Sequence, residues 1–321
     1  MRTILVSGAS GVVGYGILRS LRSADKKLRL VGTTIYDDSV AEGFCDIFEL
    51  APLTRDAGYL QWLSRIIATY KVDLIIPGIE ADMYRWTESA NELERGGSVK
   101  ALLNEPRLVS LCKDKWVFFE TVSKSGLPCV IETTLESDFD TLAARFGLPF
   151  LLKPRIGFGS KGIVRVDSLA TFVEHRARIG TTLMAQPVIG TEDEEFTTSA
   201  FCDGNGGVYA HMTLKRKLSS DGFTDRAEVA QVDEIPETVR AMCALFRPIG
   251  PTNFQFRRHE GKLKLLEINP RISSSTSIRT AFGYNECGMA VEYYLEGKAP
   301  QQPVIRQGRA VRYTEDLIFY T

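Results

Sequence analysis

The sequence predicts a mixed protein of three lobes: an N-terminal α/β lobe on a parallel sheet, a small α+β lobe, and a larger antiparallel lobe. The first hundred residues alternate short apolar runs with amphipathic stretches, the pattern of βαβ units. That alternation stops after Asn104-Glu105-Pro106, and from Glu195 onward strand patterns dominate.

In the first lobe, residues 3–7 read as a strand, 13–23 as a helix, 28–34 as a strand and 59–70 as a helix. Residues 73–77 are wholly apolar after Asp73 and read as a buried strand, followed by a helix over 83–95. Ligand crevices in such sheets open at the carboxyl ends of the strands, here near residues 8–14 and 78–82. Beyond Pro106 the pattern gives helices at 113–125 and 138–146, a strand at 148–153, a Gly-rich loop and a strand at 162–166. A helix over 169–179, a strand over 183–187 and strands at 196–202, 208–215, 254–258 and 263–269 complete the reading. The expected boundaries are 1–105 for the first lobe and 106–321 for the rest, divided into a small lobe at 113–186 and a large lobe at 187–321. No internal repeat or low-complexity linker interrupts them.

A formal net charge of −1 on 321 residues, with no long block of like charge, argues against a nucleic-acid binder. No apolar run approaches a membrane span, and the start Met1-Arg2-Thr3 before a short apolar run is no signal peptide. The six cysteines stand singly, without paired spacing or nearby His, and read as reduced buried thiols. The expectation is a cytoplasmic protein.

The most telling stretch is Glu267-Ile268-Asn269-Pro270-Arg271, which puts a carboxylate, an amide and a guanidinium at alternate positions of a strand. Period two sends all three to one face. Oxygen ligands suit a hard cation such as Mg²⁺, and an Arg beside them suits phosphate. A three-residue loop at Glu260-Gly261-Lys262 sets Gln255 opposite Glu267 and Asn253 opposite Asn269, with Phe254 and Phe256 on the other face. A two-residue turn would pair Gln255 with Leu266 and mix polar with apolar, so burial selects the longer loop. The same residues also describe a solvated polar sheet edge, and upstream features decide between the two.

Lys153 ends an apolar strand before Pro154, and Gly157, Gly159, Ser160 and Gly162 make a loop able to fold its N–H groups over phosphates. The loop lacks the Gly-Lys-Ser/Thr ending of a Walker loop, and an ordinary hairpin tip fits it as well. Lys115, in Lys113-Asp114-Lys115, fits either a phosphate contact or a solvent-facing helix lysine.

Taken in order, Lys115, Lys153-Pro154, the glycine loop, the hinge Ala185-Gln186-Pro187-Val188-Ile189-Gly190, Glu195-Phe196-Thr197 and Gln255…Glu267-Ile268-Asn269-Pro270-Arg271 resemble the ATP-grasp superfamily over about residues 106–290. The Gln, Glu, Asn metal set and the serine run after Arg271 look most like the carbamoyl-phosphate synthase large-subunit branch. The preceding lobe looks like the Rossmann-like domain that usually precedes the grasp. The resemblance implies ATP with Mg²⁺ (or Mn²⁺) as cofactor and a ligase that makes an acyl phosphate from a carboxylate and passes it to an amine. Lys115 and Lys153 would contact phosphates, Gln186 and Val188 the adenine edge, and Glu195 the ribose. Gln255, Glu267 and Asn269 would hold the metal, and Arg271 would stabilise the transferring phosphoryl group. Lys215, with Arg216 and Lys217, would add positive charge, though a solvated basic turn fits the three as well, and residues 221–226 resemble a mobile closing loop.

Two departures stand out. Gln186 occupies a hinge position where many relatives carry Glu, and residues 191–194 look inserted, leaving the ribose acid open among Glu192, Asp193, Glu194 and Glu195. With Gln255 neutral, the cage carries one anion, so weak Mg²⁺ binding without nucleotide is expected.

An alternative is a carbamoyl-phosphate synthase large-subunit half acting with a partner, though one grasp unit is present where that synthase needs two. A lesser alternative is an NAD(P)-dependent reductase. The stretch Gly8-Ala9-Ser10-Gly11-Val12-Val13-Gly14 resembles a dinucleotide fingerprint, and Tyr294 and Lys298 mimic a Tyr-x-x-x-Lys pair. Against it, no acid ends the next strand, and Gly297 lies between Tyr294 and Lys298 as a helix stop. The glycine turn then serves as a tight strand–helix connection whose N–H groups face a substrate anion. Small-molecule carboxylate and amine substrates are expected, with Glu80, Asp82 and Arg279 as candidate contacts, and a homodimer or a partner subunit as the assembly.

Overall fold

The apolar runs of the first hundred residues form a parallel sheet of order β3-β2-β1-β4-β5. Its strands are β1 (Arg2–Val6), β2 (Leu28–Thr34), β3 (Ile47–Leu50), β4 (Leu74–Ile76) and β5 (Lys100–Ala101). Helix α1 (Val12–Arg22) brings Ile17, Leu18 and Leu21 against Ile4, Val6, Leu30 and Leu74, while α2 (Tyr59–Tyr70) covers Leu5, Val31 and Ile75 with Leu63 and Ile66. Both faces of the sheet are thus apolar, as parallel sheets require. The computed structural model describes residues 1–24, 27–95, 99–157 and 161–320 of the protein.

Several expected elements differ in their limits. The edge strand β3 carries Glu49 and is half-exposed along its length, so its sequence lacks the apolar run of a central strand. The helix expected over 83–95 starts earlier and breaks at Ser89, giving α3 (Glu80–Glu88) and α4 (Ala90–Arg95). The helix expected over 113–125 is two, α5 (Pro106–Lys113) and α6 (Lys115–Ser123). Asp114 divides them: its backbone is extended, and its carboxylate accepts from the N–H groups of Trp116 (2.9 Å) and Val117 (3.4 Å), an N-cap in place of helix continuation.

After α7 (Phe139–Phe146), a small antiparallel sheet of order β7-β6-β8 is built from β6 (Phe150–Pro154), β7 (Val164–Val166) and β8 (Leu183–Pro187), with α8 (Leu169–His175) packed on it. The third sheet is antiparallel, of order β13-β12-β9-β10-β11-β14. It comprises β9 (Glu195–Asp203), β10 (Val208–Leu218), β11 (Thr224–Val229), β12 (Ile249–His259), β13 (Lys262–Asn269) and β14 (Arg309–Val311). Helix α9 (Glu234–Phe246) packs on this sheet, and α10 (Thr276–Ala281) and α11 (Glu286–Glu296) follow β13. The stretch expected as a mobile closing loop, 221–226, is a tight turn running into β11, where Arg226 pairs with Lys217.

The cores do not follow the boundaries expected from sequence. Phe118, Phe119 and Val122 of α6 pack with Phe196, Ala200 and α9 in the large-sheet core, not in the small lobe. Ile272, with Cys287, Ala290 and Val291 of α11, shares one core with Ile17, Leu21 and the first sheet. Among the described residues, no helix is long and apolar enough to cross a membrane.

Candidate active site

The β12–β13 hairpin reaches the expected pairing by a different route. Its turn has two residues, Glu260 and Gly261, both at positive φ (49° and 73°), as a type I′ turn demands. His259 pairs with Lys262 and Phe256 with Leu265, and a bulge then absorbs Leu266 so that Gln255 meets Glu267 and Asn253 meets Asn269. The three-residue loop is therefore corrected, while the pairing at the polar end stands as expected. Leu265 sinks into the core, whereas Leu266 and Glu267 both line the cleft above the sheet.

On that face the three candidate metal residues converge. Glu267 Oε1 accepts from Gln255 Nε2 at 3.2 Å and from Asn269 Nδ2 at 2.5 Å. Gln255 Oε1 accepts from Arg216 at 2.7 Å, and Asn269 Oδ1 accepts from Arg271 at 3.2 Å. The donor set is all oxygen with one anion, which fits a hard divalent cation once the two amides turn their oxygens inward. Among the described residues, no cluster of three His, Cys, Asp or Glu offers a competing site.

Arg216, expected only as one of the three basic residues 215–217, belongs to this face. Strand alternation in β10 turns it inward and turns Lys215 and Lys217 out. Lys215 lies 3.9 Å from Glu228, and Lys217 pairs with Asp193, around a separate surface depression. Lys215 is thus corrected as a site residue: the charge facing the metal residues is Arg216. The Arg216 guanidinium is buried and also donates twice to Glu195 Oε1, at 2.9 and 3.1 Å. Arg257, unremarked in the sequence, donates to Glu195 Oε2 at 2.5 Å. Glu195 lines the cleft, but both of its oxygens are engaged by guanidiniums, so it is not the open carboxylate expected for ribose. Glu192, Asp193 and Glu194 form an exposed single turn.

Opposite this sheet stands the small sheet, and a cleft of about 170 Å³ lies between them. Lys153 projects into it from β6 and has no hydrogen bond or ion pair among the described residues. Desolvation, reinforced by the nearby Arg257 and Lys115 charges and opposed by Glu267 and Glu195, pushes its ammonium down to about 8. Lys115, the first residue of α6, lines the same cleft and donates to the Gly157 carbonyl. Asp114, which starts that helix, holds Arg155 through a 2.6 Å ion pair, fixing α6 to the end of β6. Four cationic side chains (Lys115, Lys153, Lys161, Arg257) and two anionic ones (Glu195, Glu267) line the cleft among the described residues, so it favours a polyanion.

Gln186 lines the other end of the cleft with Met184 and Ile189; its Nε2 donates to Thr133 at 2.7 Å. Val188 sits beside the cleft without lining it. Gly157 lines it, Gly162 packs near Pro154, and Gly159 and Ser160 lie outside the described residues.

Arg271 turns toward the first lobe, where its guanidinium donates to Glu80 at 2.5 and 3.2 Å. Glu80 is therefore paired rather than open to an amine. Asp82 is buried and accepts from Thr54 (2.6 Å) and Tyr59 (2.7 Å). Arg279 is fully buried, bonded to Ser273, Thr197, Asn253 and Glu286, so it braces the sheet and does not reach a substrate. A second cavity, about 270 Å³, adjoins the cleft between α3, α6 and the Glu267–Asn269 strand, lined by Glu80, Tyr84 and Lys113.

The reductase features separate. Tyr294 is largely buried against Gly250, and Lys298 lies past the Gly297 helix cap, paired with Glu296. Strand β2 ends at Thr34, whose hydroxyl meets Ser10 at 2.8 Å, with no acid in the ribose position.

Residues 181–317 match a family model described as ATP-grasp in the biosynthetic pathway with Ter operon. The carbamoyl phosphate synthase large chain of Thermotoga petrophila is 24% identical over 296 residues, 84% of this chain and 26% of that protein. That of Mycobacterium sp. (strain JLS) is 27% identical over 199 residues, 57% of this chain and 18% of that protein. The chain thus spans about a quarter or less of these relatives' length. Among solved structures, N5-carboxyaminoimidazole synthetase from Staphylococcus aureus complexed with ADP superposes with a TM-score of 0.75 at 18% identity, covering 95% of this chain and 80% of that one. The biotin carboxylase–ATP complex from Campylobacter jejuni superposes at 0.72 and 17% identity, covering 96% and 74%. The chain carries an ATP-grasp domain, homologous to the carbamoyl phosphate synthase large chain and sharing its fold with the carboxyaminoimidazole synthetases and biotin carboxylases.

Proposed function

We propose that this protein is a Mg-ATP-dependent ligase that activates a carboxylate as an acyl phosphate and passes the acyl group to an amine. One observation carries the reading: a cationic cleft, with Lys115 and Lys153 on one wall, faces an all-oxygen donor set of Gln255, Glu267 and Asn269 on the other. The fold neighbours solved with ADP or ATP support the nucleotide.

In this reading the base lies between Met184, Ile189 and Leu266, with Gln186 at its edge and its phosphates toward Lys115 and Lys153. Bound Mg²⁺, or Mn²⁺ on the same donors, neutralises phosphate charge. A substrate carboxylate oxygen attacks the γ-phosphorus, the bond to the β-phosphate oxygen breaks, and ADP leaves. The amine then attacks the acyl carbon, phosphate departs with the bonding pair, and the amine loses its proton. Arg216 and Arg271 hold the amides of Gln255 and Asn269, and so act on the metal face by positioning. For Arg271 to meet the transferring phosphoryl group directly, it must exchange Glu80 for that anion.

The working substrates are small molecules, and we place the protein in the cytoplasm, where its six free cysteines stay reduced. A second reading, a synthase-like unit acting with a partner subunit or as a homodimer, draws on the match to the synthase over 84% of this chain. The deciding experiment is ADP release from purified protein supplied with panels of carboxylates and amines. Release that depends on both, and is lost in Glu267→Ala, supports the ligase. Release needing only bicarbonate and an ammonia source favours the synthase-like unit, and no release with any pair overturns both readings.

A further inference from the structure

The cavity of about 270 Å³ beside the nucleotide cleft is continuous with it, since Lys115, Leu266 and Glu267 line both. Much of its wall is apolar, with Met83 and Tyr84 of α3 and Phe118 of α6. Most of the charged side chains around it are committed elsewhere. Lys113 pairs with Glu88 at 3.5 Å and holds its ammonium over the Tyr84 ring, and Lys115 donates to the Gly157 carbonyl. Glu267 accepts from the amides of Gln255 and Asn269. Glu80 is only half committed: both bonds from Arg271 fall on its Oε1, and Oε2 accepts none among the described residues.

The Glu80–Arg271 pair limits what the cavity can hold. The two side chains are 18% and 16% exposed, so either one left alone is a poorly solvated charge. Arg271 meets a transferring phosphoryl group only by leaving Glu80. A cation arriving at Oε2 offsets that loss, whereas a neutral molecule leaves it in place. A carboxylate lying between Glu80 and Glu267 is repelled by both. The apolar wall selects further, because a bare ammonium ion covers none of it and a hydrocarbon body does.

We propose that this cavity takes the amine substrate, a primary amine with an apolar or aromatic body. It is held as its ammonium at Glu80 Oε2, with the body against Met83, Tyr84 and Phe118. Its charge replaces the guanidinium beside Glu80, so binding of the amine frees Arg271 for the phosphoryl anion. The word substrate rests on the ligase reading; the binding and the exchange of partners are measurable without turnover.

The test is calorimetric titration of the whole protein, with Mg-ADP present to fill the cleft, using phenethylamine, 2-phenylethanol and ammonium chloride. Phenethylamine should bind saturably and at least about tenfold tighter than either of the others, since it alone combines the charge with the ring. Glu80→Gln should weaken it at least about tenfold and Tyr84→Ala at least about fivefold, while Tyr84→Ala leaves Mg-ADP affinity within about twofold. Inorganic phosphate should bind at least about threefold tighter once phenethylamine is bound, and Arg271→Gln should erase that gain. Phenethylamine binding no tighter than the other two, binding unchanged in either variant, or phosphate affinity indifferent to the amine overturns the proposal. Binding and coupling as expected, but no ADP release with any carboxylate and amine, would sink the ligase reading and leave the site. ADP release with ammonia, without phenethylamine binding, would do the reverse.

Discussion

At the scale of the residue, Lys153 is the most informative side chain. Burial and the neighbouring Arg257 and Lys115 charges hold its ammonium near a pKa of about 8, well under its ordinary 10.5. The unfolded chain therefore binds more protons than the folded one between about pH 8 and 10.5. Stability gained from the neutral lysine is present above that window and lost as pH falls through 8. At neutral pH the free protein thus carries a destabilising, partly desolvated charge, which polyphosphate relieves. We expect ADP binding near pH 8.5 to take up at most about three-quarters of a proton, read from titration heats in buffers of different ionisation enthalpy. Lys153→Met should abolish the uptake; an equal uptake in that variant would assign it elsewhere. Glu267→Gln leaves the metal face without its single anion. It should lower ATP turnover at least about a hundredfold, since charge stabilisation of this kind is worth several kcal/mol. Unchanged turnover would displace the metal site. Arg216 shows what the sequence withheld: in Lys215-Arg216-Lys217 any of the three fits a basic turn, and only strand alternation selects the middle one.

At the scale of the element, the β12–β13 hairpin settles how much sequence pattern can say. Pairing of Gln255 with Glu267 was legible, because only that pairing puts Phe254 and Ile268 together in the core. The turn was not, since a bulge can shift register without leaving a mark in the composition. Glu260-Gly261 is the natural two-residue turn, and the bulge at Leu266 reconciles it with the polar face. The bulge also re-aims Leu266 into the cleft, where the base is proposed to lie. Leu266→Ala should therefore weaken ADP about tenfold, the worth of burying part of an aliphatic side chain. Pyrophosphate affinity should stay within twofold, so equal losses for both ligands would remove Leu266 from the base end. Asp114 teaches the same lesson about helices: its N-capping geometry, invisible in an apolar count, places Lys115 at a helix start beside the cleft.

At the scale of the whole molecule, the order of the elements was legible from the change of periodicity after Pro106, but their packing was not. Helix α11 is more than 200 residues from α1 in sequence and shares its core, and Thr280 and Asn285 hydrogen-bond to Ser20 across the same boundary (2.9 and 2.8 Å). Asn104 ties the linker to the large sheet through Thr252 (2.7 Å) and the Ile249 N–H (3.0 Å), and Arg271 reaches Glu80. Burying Ile272, Cys287, Ala290 and Val291 against the first sheet makes that sheet and the large sheet depend on each other. A chain cut at residue 105 should then yield two fragments that do not fold separately, and the intact protein should lose both sheets in one calorimetric transition. The small sheet has its own core of Phe150, Leu152, Phe172 and Leu183, joined to that body through Met184 of β8 and the Arg155–Asp114 pair. Because Lys153 belongs to the small sheet and Glu267 to the large one, Mg-ADP bridging them should slow amide exchange in β6–β8 more than in β1–β5. Equal protection in both sheets, or none in β6–β8, would show that the nucleotide does not span the cleft.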